Sequence, residues 1–288
     1  MIRTLLILTF LTTVSCSNYG QLTVVTDLPG SLKENSGMVS LKDSTIWVIE
    51  DGGNKDILYK VDFNGDIVKS LKVKNGDNDD WEDLTKDKLG NLYIADIGNN
   101  DNSRDNLTIY KVPNPEIEPG DKIDAEKIEL NYPDQKEFPP KKSERFFDAE
   151  ALFHYGDKLF IVTKNRSNPF TGVAHIYSVP DTKGEYEATL VAKVNLCDEW
   201  ETCQITGIDI SPSGEKVVAL SYGKLFIFTD FSWDNFSNGK IEEIDLGIRT
   251  QLESICFVNE DIILLSDERS HGTGNNLYTL DLSKVQVN

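Results

Sequence analysis

The stretch "EDLTKDKLGNLYIADIGNNDNSRDNLTIYKV", Glu82–Val112, decides the fold because its layout recurs elsewhere in the chain. It reads as a short strand, a tight Gly-Asn turn, a fully apolar strand, a longer polar loop and a third, alternating strand. The same layout returns in "SGMVSLKDSTIWVIEDGGNKDILYKVD" (36–62), "EALFHYGDKLFIVTKNRSNPFTGVAHIYSV" (150–179), "TGIDISPSGEKVVALSYGKLFIFTD" (206–230) and "ESICFVNEDIILLSDERSHGTGNNLYTLDL" (253–282). A fourth strand follows in the first four units: "DIVKSLKV", "KIELNY", "ATLVAKVNL" and "KIEEIDL".

Long amphipathic helical patterns are scarce, so the fold class is all-β. Antiparallel units of three or four strands repeating every roughly 50 to 70 residues are the pattern of β-propeller blades. The last unit lacks its fourth strand, whereas "QLTVVTDL" (21–28) has no unit of its own. The sequence therefore predicts a five-bladed β-propeller in which this N-terminal strand completes the last blade and removes an exposed sheet edge. Six blades are the alternative. The region "PPKKSERFF" (139–147) reads as a loop, so residues 17–288 form a single domain.

Residues 1–16 read as an export signal: Arg3 gives the positive start, Leu5–Leu11 the apolar stretch and "TVSC" a small-residue cleavage site ending at Cys16. A cysteine directly after "TVS" resembles a bacterial lipobox, which implies lipidation of Cys16 and a lipoprotein of the bacterial cell envelope facing an extracytoplasmic space. Ordinary cleavage is the alternative. Loss of residues 1–16 removes Arg3 and no acid, moving the net charge from −19 to −20 over 272 residues. Such a surface repels nucleic acid and anionic membrane and attracts cations, leaving a lipid anchor as the membrane contact. With 39% hydrophobic residues the chain has enough apolar material for a globular core, expected to be monomeric. Cys197 and Cys203 bracket "DEWET", and oxidising export predicts a local disulfide there; Cys256, inside "ESICFV", reads as an inert buried thiol.

The units align two residues before their first large apolar side chains, Met38, Leu84, Leu152, Ile208 and Ile255. At that point stand Ser36, Glu82, Glu150, Thr206 and Glu253, all oxygen-bearing. The first strand of each propeller blade lines the central channel, so equivalent positions form a ring. Three carboxylates converging there would repel or take up protons unless a cation sat among them. Oxygen donors without imidazole or thiolate favour a hard ion, and Ca²⁺ takes about 6 to 8 oxygens with loose geometry. Asp80 and Asp148, each two residues before a ring glutamate, read as supporting charge, and Trp81 as packing between blades.

The order Ser36, Glu82, Glu150, Thr206, Glu253, one per blade, is similar to the Ser, Glu, Glu, Ser, Glu ring around a central Ca²⁺ in the five-bladed calcium-activated nucleotidases (apyrases). Thr206 is the departure. The resemblance implies the fold and the metal; the nucleotide-contacting residues of that family have no clear match here. The runs "DWEDL", "LYIADIGNN", "IYKVPNP", "DAEAL" and "ITGIDISPSG" also look like an uncharacterised family of bacterial exported β-propeller proteins.

Second strands end at Glu50, Asp96, Lys164 and Asp267, and the loops that follow should gather at one mouth of the channel. Glu50, Asp96 and Asp267 are candidate water-positioning carboxylates. Arg104, Lys164, Arg166 and Arg269 are candidates for holding an anionic group, or else members of an ion-pair network. No Gly-x-Ser-x-Gly elbow, phosphate-binding glycine loop or His-Glu-x-x-His is present, and His154, His175 and His271 stand isolated. Two function classes remain. One is a tethered Ca²⁺-binding propeller whose mouth captures an anionic small molecule or a protein partner; the other is a Ca²⁺-dependent hydrolase of phosphate anhydrides or esters.

Overall fold

The computed structural model describes residues 19–233 and 236–286. The leader and Cys16 lie outside the described residues. No described helix is long and apolar enough to cross a membrane.

Five sheets form a five-bladed propeller, each blade built on four antiparallel strands. From the axis outward, blade one comprises Asn35–Lys42, Thr45–Glu50, Ile57–Asp62 and Ile67–Lys74. Blade two comprises Trp81–Lys86, Leu92–Asp96, Leu107–Val112 and Glu126–Asn131. Blade three comprises Asp148–Tyr155, Lys158–Lys164, Val173–Pro180 and Thr189–Asn195. Blade four comprises Ile205–Ile210, Val217–Ser221, Lys224–Thr229 and Lys240–Asp245. Blade five takes Leu252–Phe257, Ile262–Asp267 and Asn276–Asp281 from the end of the chain, and its outer strand, Thr23–Asp27, from the beginning.

Inner and middle strands are buried on both faces because each blade packs against two others, so they read as continuous apolar runs. Outer strands alternate: in Ile67–Lys74 only Leu71 and Val73 are buried. Between blades one and two, Trp47, Trp81, Leu84, Ile94 and Tyr110 share one apolar cluster, which gives Trp81 the interblade role expected of it. The inner hairpin of blade two turns at Asp87–Gly90, where the Asp87 carboxylate accepts from the Leu89 and Asn91 amides and Gly90 takes φ +82°, a value that favours glycine.

Two edge strands escaped the sequence reading. Lys122–Asp124 pairs in parallel with the outer strand of blade one, and Gly184–Glu187 with that of blade two. Each lies in the connection between the third and fourth strands of the following blade and covers its neighbour's open edge. They are three and four residues long, too short to show a period. Cys197 and Cys203 form a disulfide across "DEWET", with Cα atoms 5.7 Å apart, and Cys256 is a buried free thiol.

Candidate metal centre at the channel mouth

The five inner strands close a ring around one axis, each packed against two others. Near the start of every one, the register with the second strand slips by one residue. The slip falls between Asn35 and Gly37, Trp81 and Asp83, Ala149 and Ala151, Ile205 and Gly207, and Leu252 and Ser254. The extra residues are Ser36, Glu82, Glu150, Thr206 and Glu253. A bulge leaves its extra residue out of the ladder and re-aims its side chain. The five oxygen-bearing residues aligned in the sequence thus share one backbone device, and all five are buried.

Hydroxyls and carboxylates tie neighbouring inner strands together. Ser36 Oγ donates to the Glu82 carbonyl, Thr206 Oγ1 to the Leu252 carbonyl at 2.6 Å, and Ser254 Oγ to the Ser36 carbonyl at 2.7 Å. Asp83 accepts from the Leu152 amide and Asp209 from the Phe257 amide, each at 2.7 Å. Ser36 and Thr206 therefore hold the ring shut while keeping oxygen lone pairs.

The ring carboxylates divide into two neighbourhoods. Glu150 is covered by cations: Lys164 Nζ lies 3.1 Å from Oε2 and Arg166 Nη2 3.1 Å from Oε1. Arg166 Nε also reaches Asp148 at 2.5 Å, and the Asn99 amide donates to the same carboxylate. Lys164 Nζ donates to the Tyr222 hydroxyl at 3.1 Å, and Tyr222 also lies near Glu253. The Lys164 ammonium is held well above its ordinary range by Glu150 and Glu253, which outweigh its burial.

Glu82 belongs to the other neighbourhood. One carboxylate oxygen from each of Asp51, Asp80 and Glu82 lies within 4.8 Å of the others. Burial, reinforced by negative neighbours, pushes the Asp51 carboxyl up to about 7 and Glu82 well above its ordinary value. Burial also raises Asp80, although Arg104 and Arg166 pull it back. Glycines wall this cradle. A Cβ on Gly98 would sit 2.2 Å from Glu82 Oε1 and 2.4 Å from Asp80 Oδ2, and one on Gly52 would sit 2.4 Å from Asp80 Oδ1. Neither glycine has a positive φ, so the constraint is space for the carboxylates. Asp51, Gly52 and Gly98 were not singled out in the sequence; the signal was a glycine two residues past the end of a second strand in "EDGG" and "DIG". Glu268, raised to about 8 by burial, Asp51, Glu34 and Glu150, borders the same space.

The remaining candidates are placed as follows. Asp96 is buried, its Oδ1 accepting from the Asp80 amide and from Arg104 Nη2, both at 2.9 Å, and its Oδ2 from the Tyr110 hydroxyl at 3.5 Å. Asp267 accepts from the Asn276 amide and side chain on one oxygen and from Thr250 and Tyr278 hydroxyls on the other. Glu50 is buried, its carboxyl raised by burial and by Glu34. Arg104 also donates to the Gly98 carbonyl, so it shapes the cradle's glycine wall. Arg269 is exposed and makes no ion pair among the described residues. Beside Arg166 opens a cleft of 420 Å³ lined by Lys142, Arg145, Phe170 and Trp200. Arg145 Nε is shut from solvent there without a hydrogen-bond partner, and the half-exposed Trp200 packs edge-on to Phe170.

No family model matches this sequence, and no curated protein is significantly similar to it. Among solved structures the chain resembles the hydrazine synthase of Kuenenia stuttgartiensis, at 10% identity and TM-score 0.45, covering 87% of this chain and 71% of that one. It also resembles the PQQ-bound aldose sugar dehydrogenase of Streptomyces coelicolor, at 10% identity and TM-score 0.48, covering 91% and 98%. At such identity neither likeness bears on activity.

Proposed function

We propose that this protein is a divalent-cation-binding propeller, with Ca²⁺ as the ion, whose occupied mouth captures an anionic ligand or partner. The observation that carries the reading is the Asp51, Asp80, Glu82 cradle with its two glycine walls. Like charges packed this closely out of water favour either protonation or a bound cation, and a cation restores all three carboxylates at neutral pH. All-carboxylate donors suit Ca²⁺, with water or carbonyl oxygens completing the shell. The cationic cleft beside Arg166 supplies the complementary charge for an anion bridging to the metal.

Binding is preferred to turnover because two of the three carboxylates a hydrolase could use to position water, Asp96 and Asp267, are engaged in internal hydrogen bonds, and the third, Glu50, is buried. In this reading the chain acts outside the bacterial cytoplasm, anchored through Cys16. Calorimetric titration of metal-free protein with CaCl₂ should show saturable binding that weakens sharply in Glu82→Gln and Asp51→Asn, with Mg²⁺ a poor substitute. Heat-silent titration in folded, metal-free protein overturns the reading. Calcium-dependent phosphate release from nucleoside triphosphates, lost in Glu82→Gln, would replace it with the hydrolase.

A further inference from the structure

We infer that Lys164 is a resident counter-ion that bars a second divalent cation from the blade-three side of the ring and so confines metal to the Asp51, Asp80, Glu82 cradle. The inference rests on the cation-binding reading and adds what sets ion number.

The residues paired across from the start of each bulge are Glu50, Asp96, Thr163, Ser221 and Asp267. Three blades place an acid there and blades three and four a hydroxyl; blade three adds a base one residue further along, where Lys164 pairs with Asp148. The Lys164 side chain is 5% exposed and reaches inward to Glu150 Oε2 and the Tyr222 hydroxyl, with Nζ 5.2 Å from the centre of the Tyr222 ring. Glu150 has its second oxygen on Arg166, so neither oxygen is open to a metal. Glu253, close enough for its charge to act on the same ammonium, is the other ring carboxylate on this side.

A tethered ammonium in a water-poor site neutralises charge without having to be captured from solution. A divalent ion would have to displace it against strong like-charge repulsion. Removing the charge while keeping the bulk would leave Glu253 and one oxygen of Glu150 facing the channel with the Thr206 hydroxyl. Those are ligands for a hard cation.

Equilibrium dialysis against CaCl₂ counts the ions. Lys164→Met should take up one more Ca²⁺ per chain than wild type, Lys164→Arg the same number as wild type, and Lys164→Met with Glu253→Gln should lose the extra ion. Equal uptake by folded wild type and Lys164→Met overturns the inference, as does a second ion in wild type. Failure of the cation reading shows differently, as no uptake by wild type. Should Lys164→Met not fold, Glu253→Gln alone decides: calcium affinity stays at the wild-type value if Lys164 excludes metal there. It falls by at least the roughly 10- to 100-fold that even outer partners of a metal site contribute if Glu253 is a ligand.

Discussion

Gly98 and Glu82 occupy space that a side chain on the first would take from the second: a Cβ at position 98 would lie 2.2 Å from Glu82 Oε1. Gly98→Ala should therefore push the Glu82 and Asp80 carboxylates apart and abolish most of the calcium-dependent rise in melting temperature. Gly120→Ala, where nothing lies closer than 3.4 Å, should leave it intact. Equal calcium responses in the two variants would remove the glycine wall from the argument.

At Ca²⁺ about 100-fold above its dissociation constant, binding to the native state alone adds about 2.7 kcal/mol of stability. Glu82→Gln should forfeit most of that increment. Differential scanning calorimetry with and without chelator measures it, and an undiminished increment in Glu82→Gln would place the ion elsewhere.

Stability without metal should fall as pH rises. Burial and neighbouring charge lift Asp51 from 3.8 to about 7 in the folded chain, so the native state holds its proton more tightly than the unfolded state does. Stability from this group is greatest below the unfolded value and is lost progressively up to about pH 7. Asp51→Asn should flatten that slope. The calcium-induced rise in melting temperature should grow over the same interval, because the ion requires the deprotonated carboxylate. A calcium response independent of pH would contradict this coupling.

Alkylation of folded, unreduced protein should label neither Cys197 nor Cys203, which are joined, nor the buried Cys256. Denaturation without reductant should expose Cys256 alone, read by the mass shift of its peptide.

Deleting residues 21–27 should cost far more stability than trimming an exposed tail, since Thr23–Asp27 is the outer strand of blade five. Thermal melting of the truncated protein is the check; an unchanged midpoint would make that strand dispensable.

The propeller was legible because each blade repeats one hydrophobic layout, and ring alignment needed only the first large apolar residue of each unit. The common bulge was not legible, since a one-residue slip in pairing leaves no periodic trace. Sequence spacing likewise showed that Ser36, Glu82, Glu150, Thr206 and Glu253 are equivalent, but not that Lys164 folds inward to Glu150 while Asp51 joins Glu82. Lys164 and Glu150 meet across two paired strands of one blade, and Asp51, just past a strand of blade one, meets Glu82 of blade two only when the blades pack. Asp96 and Asp267 looked like free mouth carboxylates because their hydrogen-bond donors, Arg104, Asp80, Thr250, Asn276 and Tyr278, come from loops and neighbouring strands.

Blade five joins Thr23–Asp27 to Asn276–Asp281, so the first described strand waits for the last before either has a full complement of partners. Blades two, three and four can each assemble from contiguous chain as it emerges, but the circle cannot. Until it closes, blade one has no settled neighbour on its blade-five side, and the five bulges do not face a common centre. The Asp51, Asp80, Glu82 cradle, by contrast, draws on blades one and two alone, so its three carboxylates can meet before the circle closes.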